Sequence, residues 1–179
     1  KLGRYIYFVT EEYQPNAECG KPVIYLYPET DTQVSVSVGA AISKSEPSYD
    51  NGWQILAKPD GTLITKNGQI YPYLFWEGLG KGNYPMINQG FIVTKNNLIP
   101  TLNDHLDKLG LNKKEKEDFL EFWLDKMPDS PYVRLTWFGT REMNELAPLK
   151  VEPRPDTLIR VFLDFEGLDR PIKLSPQNL

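Results

Sequence analysis

The spacing of apolar residues changes about halfway along the chain, and this change constrains the fold more than any other feature. Residues 33–38 alternate valine with small polar residues, a period of two that is typical of a strand with one buried face. Leu102, Leu106 and Leu109 instead follow the spacing of one helix face, and the strand pattern returns afterwards. This order predicts an α+β fold: a mainly antiparallel β-sheet or sandwich with an inserted two-helix hairpin over about residues 98–127.

The first half of the chain predicts short strands separated by turns. Runs of β-branched and aromatic residues predict these strands at residues 5–9, 23–27, 33–38, 53–57, 70–76 and 90–94. Val34, Val36 and Val38 share one face of their strand, so we expect them to be buried. Pro72 has no amide hydrogen, which places its position at an edge or a bulge of the sheet.

Two helices are predicted between the strand regions. Thr101 is a candidate cap for the first, and Gly110 is a natural end. Asn112 can cap the second helix together with Glu115, which lies three residues further on. Pro128 ends it. The apolar face of the second helix consists of Phe119, Leu120, Trp123 and Met127.

The last strands are predicted at residues 132–138 and 158–165. The length of 179 residues suits a single domain with a substantial core. We therefore predict one domain over residues 1–179. Its parts are an N-terminal extension (1–20), a β-rich half (21–97), the helical hairpin (98–127) and the closing strands (128–179).

Charge and composition exclude several classes of partner. The net charge of −4 gives no basic field that would hold nucleic acid or an anionic membrane surface, so we expect no nucleic-acid partner. No apolar run approaches the roughly 20 residues that span a bilayer, so we expect no membrane span in this chain. The chain starts at Lys1, and we take this as a sign that a leader or anchor was removed.

The chain has a single histidine and a single cysteine, which restricts nucleophilic catalysis. Any catalytic triad or Cys-His pair must use His105, and the pair would require Cys19 to lie close by. His105 is flanked by acidic residues, and we expect it on the exposed side of the first helix. An intramolecular disulfide and a thiolate metal cluster are excluded.

Carboxylates are scattered rather than grouped. An oxygen-ligand calcium site would have to use Asp60, Asp104, Asp107 or Asp129, but none lies in a dense acidic loop. We predict no metal and no cofactor.

Glu77 is the candidate for acid–base catalysis, because it ends the aromatic stretch Ile70-Tyr-Pro-Tyr-Leu-Phe-Trp-Glu77. An apolar wall raises the pKa of a carboxyl group and can make it a working acid. Lys81 is close enough in sequence to pair with Glu77 instead. A glycosidase would also need a second carboxylate, which the sequence does not place. Catalytic residues therefore stay unknown, with Glu77 the sole candidate.

Aromatic residues offer a second use for the same region. They can stack on sugar rings or anchor a protein partner, although core packing is the default for each. The residues that we predict to bind are Trp53, Tyr71, Tyr73, Trp76 and Glu77.

Several motifs occur in a fixed order from about Cys19 to Phe165. They are Lys21-Pro-Val-Ile-Tyr-Leu-Tyr-Pro28, Gly52-Trp53, Pro59-Asp-Gly61, Tyr73-Leu-Phe-Trp-Glu77, Leu109-Gly-Leu-Asn112, Phe122-Trp123, Pro131-Tyr132 and Pro155-Asp-Thr-Leu-Ile-Arg-Val-Phe162. In these motifs the chain resembles an uncharacterised microbial protein family of no established function. The resemblance implies an exported or envelope-attached protein, and it assigns no catalytic residue.

Three functions follow from these observations. The first is a non-catalytic, exported or cell-surface module that binds a glycan polymer or a protein through its aromatic residues. The second is a hydrolase that uses Glu77 as general acid or base. The third is a structural subunit that assembles by strand addition at the edge near Pro72.

Overall fold

The computed structural model describes residues 22–81 and 84–179, together with the backbone of Glu18–Cys19. These residues form two compact units. The first contains the described residues up to Tyr84 and Asn144–Asp156, and the second contains Pro85–Met143 and Thr157–Leu179. Each unit has a hydrophobic core of its own. The organisation of residues 1–179 as one domain stays a prediction. The strand predicted at residues 5–9 lies outside the described residues.

In chain order, the strands are β1 (Glu18–Cys19), β2 (Val23–Ile24), β3 (Thr32–Val38), β4 (Ala41–Glu46), β5 (Trp53–Ala57), β6 (Leu63–Thr65), β7 (Ile70–Tyr71), β8 (Leu74–Leu79), β9 (Phe91–Thr94), β10 (Tyr132–Phe138), β11 (Leu149–Glu152) and β12 (Phe162–Leu168). The α-helices are α1 (Leu98–Lys108), α2 (Lys113–Trp123) and α3 (Thr140–Leu146). Two 3₁₀ turns cover Lys95–Asn97 and Leu124–Lys126. The α+β fold with an inserted helical hairpin is thus confirmed.

The first unit is a sandwich of two antiparallel sheets. In one sheet β8 pairs with β1, β2 and β4, and the other has the order β11-β3-β5-β6-β7. Alternation along β3 places its three valines on one face, where they are buried as predicted. They pack in one cluster with Trp53 and Ile55 of the same sheet and with Leu74 and Trp76 of the other sheet. The core therefore lies between the two sheets.

The segment at residues 70–76 is two strands rather than the single strand predicted. The sequence leaves β7 after Tyr71, and β8 starts at Leu74 in the other sheet. Pro72 has no amide hydrogen to continue the ladder, and this is the physical reason for the break. β7 is an edge strand, which confirms the edge position expected near Pro72.

The second unit packs helices against a three-stranded antiparallel sheet of order β12-β10-β9. Val133, Leu135 and Trp137 alternate along β10 and pack with Leu102 and Leu106 of α1. The final strand was predicted too early, at residues 158–165. β12 instead runs from Phe162 to Leu168, because this stretch pairs with the full length of β10.

Local chemistry sets the ends of the two long helices. Asn112 and Glu115 form the predicted capping box of α2, with hydrogen bonds of 3.0 Å and 2.8 Å between each side chain and the backbone amide of the other residue. Gly110 has φ of +87° and ends the hairpin's first helix as expected. Thr101 does not cap α1, since the helix begins at Leu98 after Asn97.

Candidate binding surface

Alternate residues from Ile24 to Tyr27 have different surroundings. Ile24 and Leu26 pack against the core of the first unit. Tyr25 and Tyr27 alternate with them, and the ring of Tyr25 contacts those of both Tyr27 and Tyr73. We call Tyr25, Tyr27 and Tyr73 the tyrosine cluster. Sequence reasoning missed two of its members, although the period of two in the motif at residues 21–28 was a signal that could have found them.

The rings of the tyrosine cluster have defined relative orientations. Tyr25 and Tyr27 are parallel, with an interplanar angle of 4° and ring centroids 6.3 Å apart. The ring of Tyr73 meets that of Tyr25 edge-on at 5.6 Å, with an angle of 76°. Tyr27 is 46% exposed, while the other two are half-buried. The cluster therefore presents apolar ring surface to solvent at a fixed place.

The turn between β5 and β6 holds Tyr27 in position. A Cβ built on Gly61 would lie 2.7 Å from Cε1 of Tyr27, so the ring packs directly on the glycine. Gly61 also has φ of +86°, which L side chains rarely adopt. Beside it, the backbone and side chain of Thr62 donate hydrogen bonds to Asp60 and hold the pKa of that carboxyl below its usual value. An ionised carboxylate thus lies in the turn that supports Tyr27.

Trp53 and Trp76, which were predicted to bind, are core residues. Each is 2% exposed, and both belong to the cluster between the sheets. The indole Nε1 of Trp53 donates a hydrogen bond of 2.9 Å to the carbonyl of Pro47, and the Tyr49 ring packs edge-on against the indole. Trp53 and Trp76 lie at strand positions that face the core, and the sequence alone did not show which positions face inward. Neither ring is available to a ligand in this structure.

Tyr71 and Tyr73 are separated by Pro72 and have different surroundings. Tyr71 is half-buried against the core of the first unit, and its hydroxyl lies 3.5 Å from the side-chain oxygen of Gln69. Tyr73 belongs to the tyrosine cluster. Of the aromatic residues predicted to bind, Tyr73 is therefore the one that lies in a solvent-facing group of rings.

Glu77 does not lie in an aromatic wall. Its side chain is 39% exposed, and its Oε2 lies 4.0 Å from Nζ of Lys44 on the neighbouring strand β4. Lys44, rather than Lys81, is its partner in this structure. Trp76 points into the core, so alternation turns Glu77 to the other face of β8. The surroundings expected of a sheltered general acid are absent at this position in the described structure.

His105 was predicted on the exposed side of its helix, and this is wrong. It is buried in α1, where it continues the apolar face that Leu102, Leu106 and Leu109 form. The spacing of three residues from Leu102 and four from Leu109 was the signal for burial. Its ring centroid lies 4.3 Å from that of Phe91. The side chain of Cys19 lies outside the described residues, so the structure does not place a Cys-His pair.

Within the described residues, no three carboxylate, histidine or cysteine side chains come together in a way that could hold a metal ion. Asp104 pairs with Lys108 at 2.7 Å, Asp107 pairs with Lys116, and Asp129 pairs with Lys95. Lysine hydrogen bonds hold the pKa values of Asp104 and Asp129 below their usual value. These candidate calcium ligands therefore form surface ion pairs.

The outer face of the five-stranded sheet is a second solvent-facing surface. Ser35 donates a hydrogen bond of 2.8 Å to Gln54, and Lys150 pairs with Glu152 at 2.8 Å beside them. A shallow depression of about 230 Å³ lies over these residues. Further across the sheet, Ile70 of β7 is 69% exposed. This face is polar on one side and aliphatic on the other, and it presents no aromatic ring among the residues that line the depression.

Comparison with known proteins gives one relative of interest. An uncharacterised protein from Butyrivibrio fibrisolvens, described as lying in the "bglA 3'region", is 49% identical over 63 residues. The match covers 32% of this chain and 65% of that protein, so the chain spans slightly less than two thirds of the relative's length. No family model matches the chain. No solved structure matches it. The resemblance to uncharacterised proteins of no established function is confirmed.

None of the helices in the described part of the chain combines the length and the apolar character needed to cross a membrane.

Proposed function

We propose that the chain is a non-catalytic binding module of an exported or cell-envelope-attached protein, and that the tyrosine cluster contacts a polymer ligand, a glycan or a protein segment. The observation that carries the proposal is the parallel pair of Tyr25 and Tyr27, with Tyr27 nearly half exposed and Tyr73 set edge-on against Tyr25. Rings held in place by the core below them can bind with little loss of side-chain freedom.

The chemistry of tyrosine explains the choice of ligand. Each ring offers a flat apolar face to the C–H groups of a sugar or to a proline or aromatic side chain, while its hydroxyl exchanges hydrogen bonds with polar groups of the ligand. The net charge of −4 and the ionised Asp60 next to Gly61 favour a neutral or cationic ligand over an anionic one.

The surroundings of Glu77 support binding rather than hydrolysis. Its carboxylate is exposed and faces Lys44, so it lacks the shelter from water expected of a general acid. The hydrolase alternative has no structural observation in its favour. The strand-addition alternative has one, the edge position of β7, but this strand is only the two residues Ile70–Tyr71.

The test is a binding measurement on purified chain with two families of ligand, neutral polysaccharides and proline-rich peptides. We expect the wild-type chain to be retained by at least one of them. Tyr27→Ala combined with Tyr73→Ala should lower the affinity at least tenfold, since each ring contact contributes about 0.5 to 1.5 kcal/mol and a tenfold change is about 1.4 kcal/mol. Tyr27→Phe keeps the ring and should keep most of the affinity.

Ile70→Ala is the matched control, because it removes an exposed apolar side chain from the same unit but outside the tyrosine cluster. It should bind as the wild type does. A double tyrosine variant that is folded and binds the ligand as tightly as the wild type contradicts the proposal. If only Ile70→Ala loses affinity, the ligand binds the outer face of the five-stranded sheet instead of the tyrosine cluster.

The location of the protein is part of the proposal and has a separate test. Cells of the source organism are separated into cytoplasm, envelope and medium, and an antibody to the chain locates the natural gene product. We expect it in the envelope or the medium. Recovery from the cytoplasm alone contradicts export while leaving the binding measurement untouched.

A further inference from the structure

The inner strand of the second unit is longer than one of its two neighbours. β10 pairs with β12 along its whole length, from Tyr132 to Phe138. On its other side β9 reaches only from Tyr132 to Leu135. The backbone of Trp137 therefore needs another partner on that side, and it is buried, so its amide and carbonyl cannot rely on water.

A single side chain takes the place of the missing strand. The backbone N–H of Trp137 donates to Oε1 of Gln177, and Nε2 of Gln177 donates to the carbonyl of Trp137, each at 2.8 Å. A primary amide carries a donor and an acceptor side by side, as a peptide group does. The geometry is that of a strand residue, although Gln177 contributes only its side chain.

The residues around Gln177 extend this contact. Ser175 forms a parallel bridge with Gln89, and its carbonyl accepts a hydrogen bond of 2.9 Å from the amide of Gly90. A Cβ built on Gly90 would lie 2.9 Å from a methyl of Leu174, so this leucine packs close to the glycine. Leu179 packs against the core of the second unit. Residues 174–179 are thus held by one backbone bridge and by the side chains of two leucines and one glutamine.

Pro176 and Asn178 of this segment are exposed, and so are all of residues 169–173, which join the segment to β12. We propose that the edge of β10 at residues 136–138 is a peptide-binding site that residues 174–179 of the same chain occupy. A partner peptide with the same pattern, a glutamine with a leucine three residues before it and another two residues after it, competes for this site.

This site differs from the edge near Pro72 and from the tyrosine cluster. It recognises an extended peptide by strand addition in which a glutamine amide replaces the backbone. Glutamate has the same shape but only accepts hydrogen bonds, so it cannot satisfy the carbonyl of Trp137. Asparagine is one methylene shorter. The inference does not rest on the proposed function, since it concerns other residues in the other unit.

The test uses the full chain and a fluorescein-labelled synthetic peptide of residues 173–179. In the wild type the resident segment occupies the site, and the peptide should bind weakly. Gln177→Glu weakens the resident segment, so the labelled peptide should bind at least tenfold more tightly, as measured by fluorescence anisotropy. Hydrogen exchange at the amide of Trp137 should also become faster in this variant. Asn178→Asp is the matched control, because it makes the same amide-to-acid change at an exposed neighbour and should leave both measurements unchanged.

A second peptide carrying the Gln177→Glu change should bind the Gln177→Glu chain at least tenfold more weakly than the wild-type peptide does. The proposal is overturned if the Trp137 amide exchanges faster but the wild-type peptide gains no affinity, or if exchange at Trp137 does not change. Equal binding of the two peptides overturns it as well. If Gln177→Glu does not fold, Gln177→Asn is measured in the same way and judged by the same outcomes.

Discussion

Trp137 donates a hydrogen bond of 3.0 Å from its indole Nε1 to Nδ1 of His105, and both residues are buried in the second unit. Because Nδ1 accepts this bond, the neutral imidazole carries its proton on Nε2. Protonation of Nδ1 would place two donors against each other. The neutral form of His105 is therefore part of the folded structure.

The first prediction concerns the pH dependence of stability. Burial lowers the pKa of His105 below 6.5; the carboxylate of Asp104 opposes this, and the charge of Lys108 adds to it. The unfolded chain then binds the proton more readily than the folded chain, so stability is complete above about pH 6.5 and is lost as the pH falls below that value. The loss should not exceed about 1.4 kcal/mol per pH unit. Urea unfolding between pH 5.5 and 7.5 measures it.

His105→Gln should remove most of the pH dependence in that window, because the chain has no other histidine. For the same reason a proton NMR titration of the wild type shows a single histidine, and its midpoint should lie below 6.5. A midpoint at or above 6.5 would contradict the prediction. Trp137→Phe should raise the midpoint, since it removes the donor that favours the neutral ring.

The second prediction separates core aromatics from surface aromatics. Trp76→Ala should lower the free energy of unfolding by about 3 to 5 kcal/mol, because it leaves a large cavity between the sheets. Tyr27→Ala should cost about 1 kcal/mol, since nearly half of that side chain is already in water. Denaturant unfolding of both variants checks the contrast. Similar losses would show that the tyrosine cluster belongs to the core.

The third prediction concerns the start of α2. Asn112→Ala removes the side chain that accepts a hydrogen bond from the amide of Glu115, and it should cost about 1 kcal/mol of stability. Asn112→Asp keeps a capping oxygen and should retain most of it. Asn96→Ala, at an exposed position, is the control and should have little effect. Thermal unfolding followed by circular dichroism measures all three, and an Asp variant as unstable as the Ala variant would count against the cap.

The fourth prediction compares two ion pairs. Arg134 is buried, and its Nη2 lies 2.7 Å from Oδ1 of Asp164. The two groups are not aligned for a hydrogen bond to that oxygen. Arg134→Met removes the buried charge that contacts both Asp164 and Glu166 and should cost about 3 kcal/mol. Lys44→Met breaks the exposed pair with Glu77 and should cost less than about 0.5 kcal/mol. Unfolding in urea at low and high salt distinguishes them, and equal losses would contradict the difference in burial.

Local signals in the sequence predicted the local structure well. The alternating valines of β3, the capping box at Asn112 and the end of α1 at Gly110 each depend on a few neighbouring residues, and the structure confirms them. The spacing of His105 from Leu102 also indicated burial, whereas its acidic neighbours indicated an exposed position. The other failed predictions depended on residues distant in sequence.

The position of β12 shows such a dependence. Leu158 and Ile159 are as apolar as Phe162 and Leu163, yet both are exposed, because the register with β10 begins only at Phe162. Trp53 and Trp76 show the same dependence on distant residues. A tryptophan ring can bind a ligand or fill a core, and which it does depends on which face of its strand packs against the other sheet. Gln177 forms its hydrogen bonds with Trp137, which lies forty residues earlier in the chain, and no local sequence pattern indicates this contact.

Four consecutive residues, 24–27, tolerate few substitutions. Ile24 and Leu26 anchor the segment in the core, and Tyr25 and Tyr27 form the surface on its other side. A substitution at any of these four positions alters either the folding of the first unit or the shape of its ring surface. The turn at Gly61 is constrained in the same way, because a side chain at that position would meet the ring of Tyr27.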